Sequence, residues 1–188
     1  MSVAPVLKNV TNRLRQNGIA YMLVGSYASS FHGALRATHD VDVVIDATPE
    51  QLPGLIAGFH ADNYYAELDA ALDALRHQSM FNVIDSTTGW KIDLIFRKSR
   101  AFDLGAFNRR LPVKLFDIQL FVATAEDVII SKLEWAKLSE SHRQIEDVAR
   151  LMEKQWNDLD RDYLSKWISA LELQQQWAEA KRSADILE

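Results

Sequence analysis

The chain carries two hydrophobic rhythms in turn and then settles into one. Val6, Leu7, Val10 and Leu14 recur at helical spacing, and Asn17-Gly18 stops the helix they predict. Ile19 to Val24 is an unbroken apolar run, the pattern of a short buried strand. Gly25-Ser26 ends it, and Tyr27 to His32 reads as a short helix closed by Gly33. Asp40 to Asp46 alternates acidic and branched apolar residues, which predicts a strand with one buried and one polar face. Thr48-Pro49-Glu50-Gln51 is a helix start: Thr caps, Pro suits the first turn and Gln reaches back to the cap. Leu68 to Leu75 predicts a further helix. Met80 to Ile84 and Lys91 to Phe96 flank Asp85 to Gly89, a hairpin turn. Phe102 to Arg109 reads as a short helix, and Val113 to Phe116 with Gln119 to Ala123 as a second strand pair around Asp117.

From Thr124 onward only the helical rhythm remains. Thr124 caps with Asp127 following, and Val128, Ile129, Leu133 and Trp135 form a stripe; Ser141 starts a second helix running to about Glu153. Two more are expected from Asp160 to Ala170 and from Glu172 to about Lys181. The pattern predicts an α/β core over residues 1–123 and a helical region over residues 124–188. Trp135, Trp156, Trp167 and Trp177 are expected in the helical core, with stacking on bases as the other use of such a stripe.

Composition narrows the class. At 188 residues, with 48% hydrophobic and 25% charged, the chain is an ordinary globular protein of one domain with an appendage at most. The formal net charge of -5 gives no general attraction to nucleic acid. No apolar run approaches the ~18 residues of a membrane span. Met1 to Val10 lacks a basic stretch followed by an apolar one, so a cytoplasmic protein is expected. With no Cys, disulfides, thiolate zinc sites and cysteine nucleophiles are all excluded. His32, His39, His60, His77 and His142 show no metal-ligand spacing, although His39 abuts the acidic strand. No nucleophile-elbow pattern points to Ser/His/Asp hydrolysis.

The chemistry concentrates in Val24-Gly25-Ser26 and in the segment from Arg36 to Ile45. Residues two apart on a strand share a face, so Asp40 and Asp42 project together while Val41, Val43 and Ile45 face the core. Side-by-side carboxylates repel, and a divalent cation removes that penalty; Mg²⁺ prefers such oxygen ligands. Asp93, inside the apolar strand Lys91 to Phe96, is costly to bury unless paired or bound to metal. Carboxylates from two strands would hold two metals about 4 Å apart, the arrangement that clamps attacking and leaving oxygens in phosphoryl transfer. Gly25 permits close backbone approach and Ser26 adds a hydroxyl donor at a helix start, which suits a phosphate. Each feature also has an ordinary use, the Asp pair as a solvated face and Gly-Ser as a turn. Asp46 reads as a strand end. Arg97, Lys98, Arg100, Arg109, Arg110 and Lys114 form a local basic cluster, either simply solvated or steering an RNA acceptor through its phosphates.

Gly25-Ser26, then Arg36-x-Thr38-x-Asp40-Val-Asp42, then Asp93 on a later strand, resemble the nucleotidyltransferase superfamily that includes DNA polymerase β. Within it the chain is most similar to the AbiEii/AbiGii toxin-family nucleotidyltransferases of bacteria. Glu126 to Leu133, with Lys132, and Arg143 to Val148, with Asp147, resemble that family's downstream Lys and Asp motifs. The resemblance covers about residues 20–150. It implies a polymerase β-like fold, a mixed β-sheet flanked by helices and followed by helices. It also implies Mg²⁺- or Mn²⁺-dependent transfer of a nucleoside monophosphate from an NTP to a hydroxyl of RNA or protein, with pyrophosphate released. An antitoxin partner is implied too. On this resemblance Asp40, Asp42 and Asp93 are metal ligands, and Asp93 takes the acceptor proton. Gly25 and Ser26 hold outer phosphates. Lys132 reaches the triphosphate or else sits on the surface. Asp147 orients Lys132 or pairs with Arg143 at helical spacing. Arg36 contacts phosphate or braces its loop, and Thr38 hydrogen-bonds near Asp40 or makes a turn. Two other readings are a non-catalytic nucleotide-binding or antitoxin-like partner, and an Asp-x-Asp glycosyltransferase.

Overall fold

The computed structural model describes residues 2–36 and 38–186. In chain order the elements begin α1 (Ala4–Gln16), β1 (Ala20–Leu23), α2 (Gly25–Phe31), β2 (Asp40–Asp46), α3 (Leu52–Ala61), β3 (Tyr64–Tyr65), α4 (Leu68–Arg76) and β4 (Met80–Asp85). There follow β5 (Lys91–Phe96), α5 (Ala101–Arg109), β6 (Leu111–Leu115), β7 (Ile118–Val122), α6 (Ala125–Ser139), α7 (His142–Gln155), α8 (Arg161–Ala170) and α9 (Gln174–Ser183). They form two compact units, Met1–Val24 with Ala37–Val122, and Gly25–Arg36 with Ala123–Glu188.

The first unit is built on a seven-stranded sheet in the order β3-β4-β5-β2-β1-β7-β6. β2 runs parallel to β5 and β1 to β7, while the other neighbours are antiparallel, so the sheet is mixed. Alternation decides its faces. Val41, Val43 and Ile45 of β2, Ile92, Leu94 and Phe96 of β5, and Phe81 and Val83 of β4 are all buried. The stripe Val6, Leu7, Val10 and Leu14 of α1 is buried as its spacing predicts. Gln51 accepts from the Thr48 backbone N–H at 2.8 Å and donates to the Asn17 and Gly18 carbonyls at 3.0 and 3.1 Å. The residue that closes the start of α3 therefore also pins the end of α1. The β4–β5 turn is organised by Asp85, which accepts from the Thr87 and Thr88 N–H groups at 2.9 and 3.3 Å. β3, two residues long, is a strand the pattern does not announce.

In the second unit α6 is the central element, in contact with α2, α7, α8 and α9. Thr124 caps it, accepting from the Asp127 N–H at 3.2 Å, and Asp160 caps α8 by accepting from Tyr163 at 2.9 Å. Ser141 occupies the cap position of α7 without a side-chain cap bond. The expectation that the four helical Trp residues form core is corrected. Trp135 is 57% exposed, and Trp156, Trp167 and Trp177 are half-buried. Trp135 projects off the stripe of α6 on which Ile129, Leu133 and Ala136 are buried. Trp156 and Trp177 instead stack on each other with centroids 6.1 Å apart. Among the described residues no helix is long and apolar enough to cross a membrane.

Candidate active site

The sheet unit supplies the carboxylates. Parallel pairing sets Asp40 opposite Lys91 and Asp42 opposite Asp93, so these four residues form a block on one face of two adjacent strands. Asp40 is exposed, Asp42 half-buried and Asp93 buried, a gradient running from the strand start into the sheet. Thr38 positions the start of β2, its hydroxyl accepting from the Asp40 N–H at 3.1 Å. Asp93 is held from two sides. The Lys91 ammonium lies 3.0 Å from each of its carboxylate oxygens, and the Asn82 amide, from the register partner on β4, donates to Oδ1 at 2.6 Å. The hydrogen bond to Asp93 raises the Lys91 ammonium above its ordinary pKa; partial burial opposes this, and the charges of Asp93, Asp40 and Asp42 add to it.

Three carboxylates on one face are the donor set a hard divalent cation takes. The position occupied by the Lys91 ammonium shows that a cation is accommodated beside Asp93. As placed, the oxygens are organised by Lys91 and Asn82, and among the described residues no group of three or more acidic or His side chains closes round a common ion position.

The helical unit carries its own charged cluster. Lys132 is buried rather than set on the surface. Its ammonium donates to Asp147 at 2.8 Å and to Gln144 at 3.1 Å. Arg36 donates to the same Asp147 oxygen at 2.8 Å, and Arg150 approaches the other at 3.5 Å. Asp147 is thus the hub of two cations from distant parts of the sequence. Burial alone would push its carboxyl up, but the hydrogen bond and charge of Lys132, then those of Arg36, hold it below the usual carboxylate range. Gly25, at φ +61°, opens α2 in a conformation that costs glycine little, and Ser26 beside it is buried. The Gly25 carbonyl accepts from Ser29 at 3.0 Å.

No family model matches the sequence, and no curated protein matches it. Solved structures do match. The antibiotic-resistance factor ANT(2'')-Ia in solution aligns with a TM-score of 0.62 at 12% identity, covering 97% of this chain and 98% of its own. The same protein crystallised with adenylyl-2''-tobramycin aligns at 0.57 and 12% identity, over 93% of this chain and 98% of that one. An antigenic nucleotidyltransferase-like protein from Paracoccidioides brasiliensis aligns at 0.53 and 15% identity, over 94% and 91% of the two chains. The chain has a nucleotidyltransferase fold. At these identities the likeness is one of architecture: a mixed sheet with flanking helices, followed by further helices.

On that fold, three residues around the candidate positions make contacts for which the motif reading gave them no role. Lys91 was legible, because it stands two before Asp93 and so shares its face. Asn82 needed the hairpin register as well, and Gln144 carries no local signal. Part of the basic cluster is paired with neighbouring groups. Arg97 pairs with Asp46 at 2.9 Å, Arg100 with Asp103 at 2.6 Å and Lys114 with Asp117 at 2.9 Å, while Arg110 lies over the rings of Phe107 and Phe121. His39 packs its ring 5.3 Å from that of Trp90.

Proposed function

We propose that this protein is a divalent-metal-dependent nucleotidyltransferase that moves a nucleoside monophosphate from an NTP to a hydroxyl acceptor. The observation that carries the reading is the block of Asp40, Asp42 and Asp93 on adjacent strands of a sheet with nucleotidyltransferase architecture. Asp40 and Asp42 would ligate Mg²⁺ or Mn²⁺, with Asp93 completing the acceptor-side position. When bound, the ions would neutralise phosphate charge and lower the pKa of the acceptor hydroxyl. The acceptor oxygen would bond to the α-phosphorus as the bond to pyrophosphate breaks, and Asp93 would take the proton the hydroxyl gives up. Gly25 and Ser26 would hold the outer phosphates. Lys132 and Arg36 would supply positive charge to the triphosphate, positioned through Asp147, and Thr38 would fix the start of the carboxylate strand. The Lys and Asp motifs on α6 and α7 support an acceptor of the AbiEii/AbiGii kind, an RNA end or a protein side chain, with an antitoxin as partner. The neighbour solved with adenylyl-2''-tobramycin adds a small polyhydroxyl acceptor to the set worth testing.

The test is transfer of label from α-³²P NTPs, offered singly with Mg²⁺ or Mn²⁺, into total RNA, whole-cell protein and an aminoglycoside. Label in one fraction that disappears with Asp42→Asn is the expected result. Label that persists unchanged in Asp42→Asn would remove the carboxylates from the reaction. No label together with no NTP binding would leave a non-catalytic partner protein as the better reading.

A further inference from the structure

We propose that Lys91 is a resident counter-cation of the carboxylate block and competes with a divalent ion for Asp93. This rests on the metal-binding role proposed above for the Asp residues. The ammonium is 3.0 Å from both oxygens of Asp93, midway between them, as an ion held by both oxygens would also be. Its placement follows from the fold. Lys91 and Asp93 share a face of β5, and the register with β2 brings Asp40 opposite Lys91 and Asp42 opposite Asp93. One ammonium therefore stands on the face that carries all three carboxylates, and the charges of Asp40 and Asp42 act on it together with that of Asp93. Asn82 fills a further acceptor position on Asp93 at 2.6 Å, so the carboxylate is oriented by the chain's own donors. An ordinary exposed Lys–Asp pair is the competing account, since the Lys91 side chain is 40% exposed and such pairs contribute little. The accounts differ in their consequences for metal affinity. A bystander lysine leaves it unchanged, whereas a competing ammonium weakens it both by occupying the position and by repelling a divalent charge at short range.

Binding of Mn²⁺ alone to the full chain, followed by the electron paramagnetic resonance of the free ion, separates them. Lys91→Met should bind Mn²⁺ about tenfold more tightly than the wild type. Lys91→Arg, which keeps the charge, should stay near the wild-type value. The melting temperature supplies a second readout. In EDTA, Lys91→Met should melt below the wild type because the buried Asp93 loses its ammonium partner, and Mn²⁺ should raise its melting temperature by more than it raises that of the wild type. Equal Mn²⁺ affinity in Lys91→Met and wild type would overturn the inference and leave the metal-binding reading standing. Millimolar Mn²⁺ bound by neither form would overturn both.

Discussion

At the scale of single residues, Asp147 makes the plainest energetic demand. One of its oxygens accepts from Lys132 and from Arg36, both at 2.8 Å, and its side chain is 5% exposed. Substituting Asp147→Asn would strand two cations in a buried setting, at a cost of about 3 kcal/mol. Lys132→Met removes one cation and leaves the carboxylate paired with Arg36, so about half that loss is expected. The sign of the pH dependence follows from the lowered carboxyl. Its stabilisation is complete above the unfolded carboxylate value of about 4 and is lost as pH falls through the lower folded value. Urea unfolding across the acid range should therefore rank Asp147→Asn as less stable than Lys132→Met at neutral pH, with the acid limb flattened in Asp147→Asn. Equal losses in the two variants would mean that Asp147 does not hold the two cations as a unit.

At the scale of elements, β2 and β5 separate structure from chemistry by alternation. Leu94 is fully buried between Asp93 and the half-buried Ile95. Leu94→Ala should cost about 3 kcal/mol, combining lost burial with the cavity left behind. Ile95→Ala, on the carboxylate-bearing face, should cost about 1 kcal/mol. Equilibrium denaturation of the two variants tests this, and matching losses would mean that the two faces of β5 are not distinct. The same alternation explains what the sequence shows. Asp40 to Asp46 announces a strand because acidic and branched apolar residues alternate along it with Val44 as the one departure, and the turns at Asp85 and Asp117 fall between apolar runs. β3 is too short to have a period. The clamp on Asp93 is legible in part: Lys91 shares its face by spacing, whereas Asn82 reaches it only through the exact β4–β5 register, which the hairpin pattern does not number. The Trp residues fail for a related reason. Spacing places Trp135 on a helix but does not say which side of that helix a neighbour covers.

At the scale of the whole molecule, the notable feature is the excursion of residues 25–36. The chain leaves the sheet unit after β1, contributes α2 to the helical unit, and returns to the sheet as β2. Within the helical unit this segment is tied at several points. α2 contacts α6, and the His32 ring donates to the Ala123 carbonyl at 2.8 Å. Gln155 donates to the His32 carbonyl at 3.1 Å, and Arg36 reaches Asp147. Ala28 and Ser29 are buried in the process. A fragment of residues 123–188 would retain four of the unit's helices yet lack these ties, leaving one face of α6 uncovered and Asp147 without Arg36. Helices of this length draw most of their stability from packing rather than from propensity. The fragment should therefore melt broadly by circular dichroism, and joining residues 25–36 to it through a flexible linker should sharpen the transition. A cooperative melt of residues 123–188 alone would show that the excursion is dispensable to the unit. If the linked segment is what restores cooperativity, the helical unit is completed only by chain that lies between β1 and β2. Gly25 and Ser26 at the start of α2, and Arg36 beyond its end, would then be held within the helical unit by the ties of His32 to Ala123 and Gln155 and of Arg36 to Asp147.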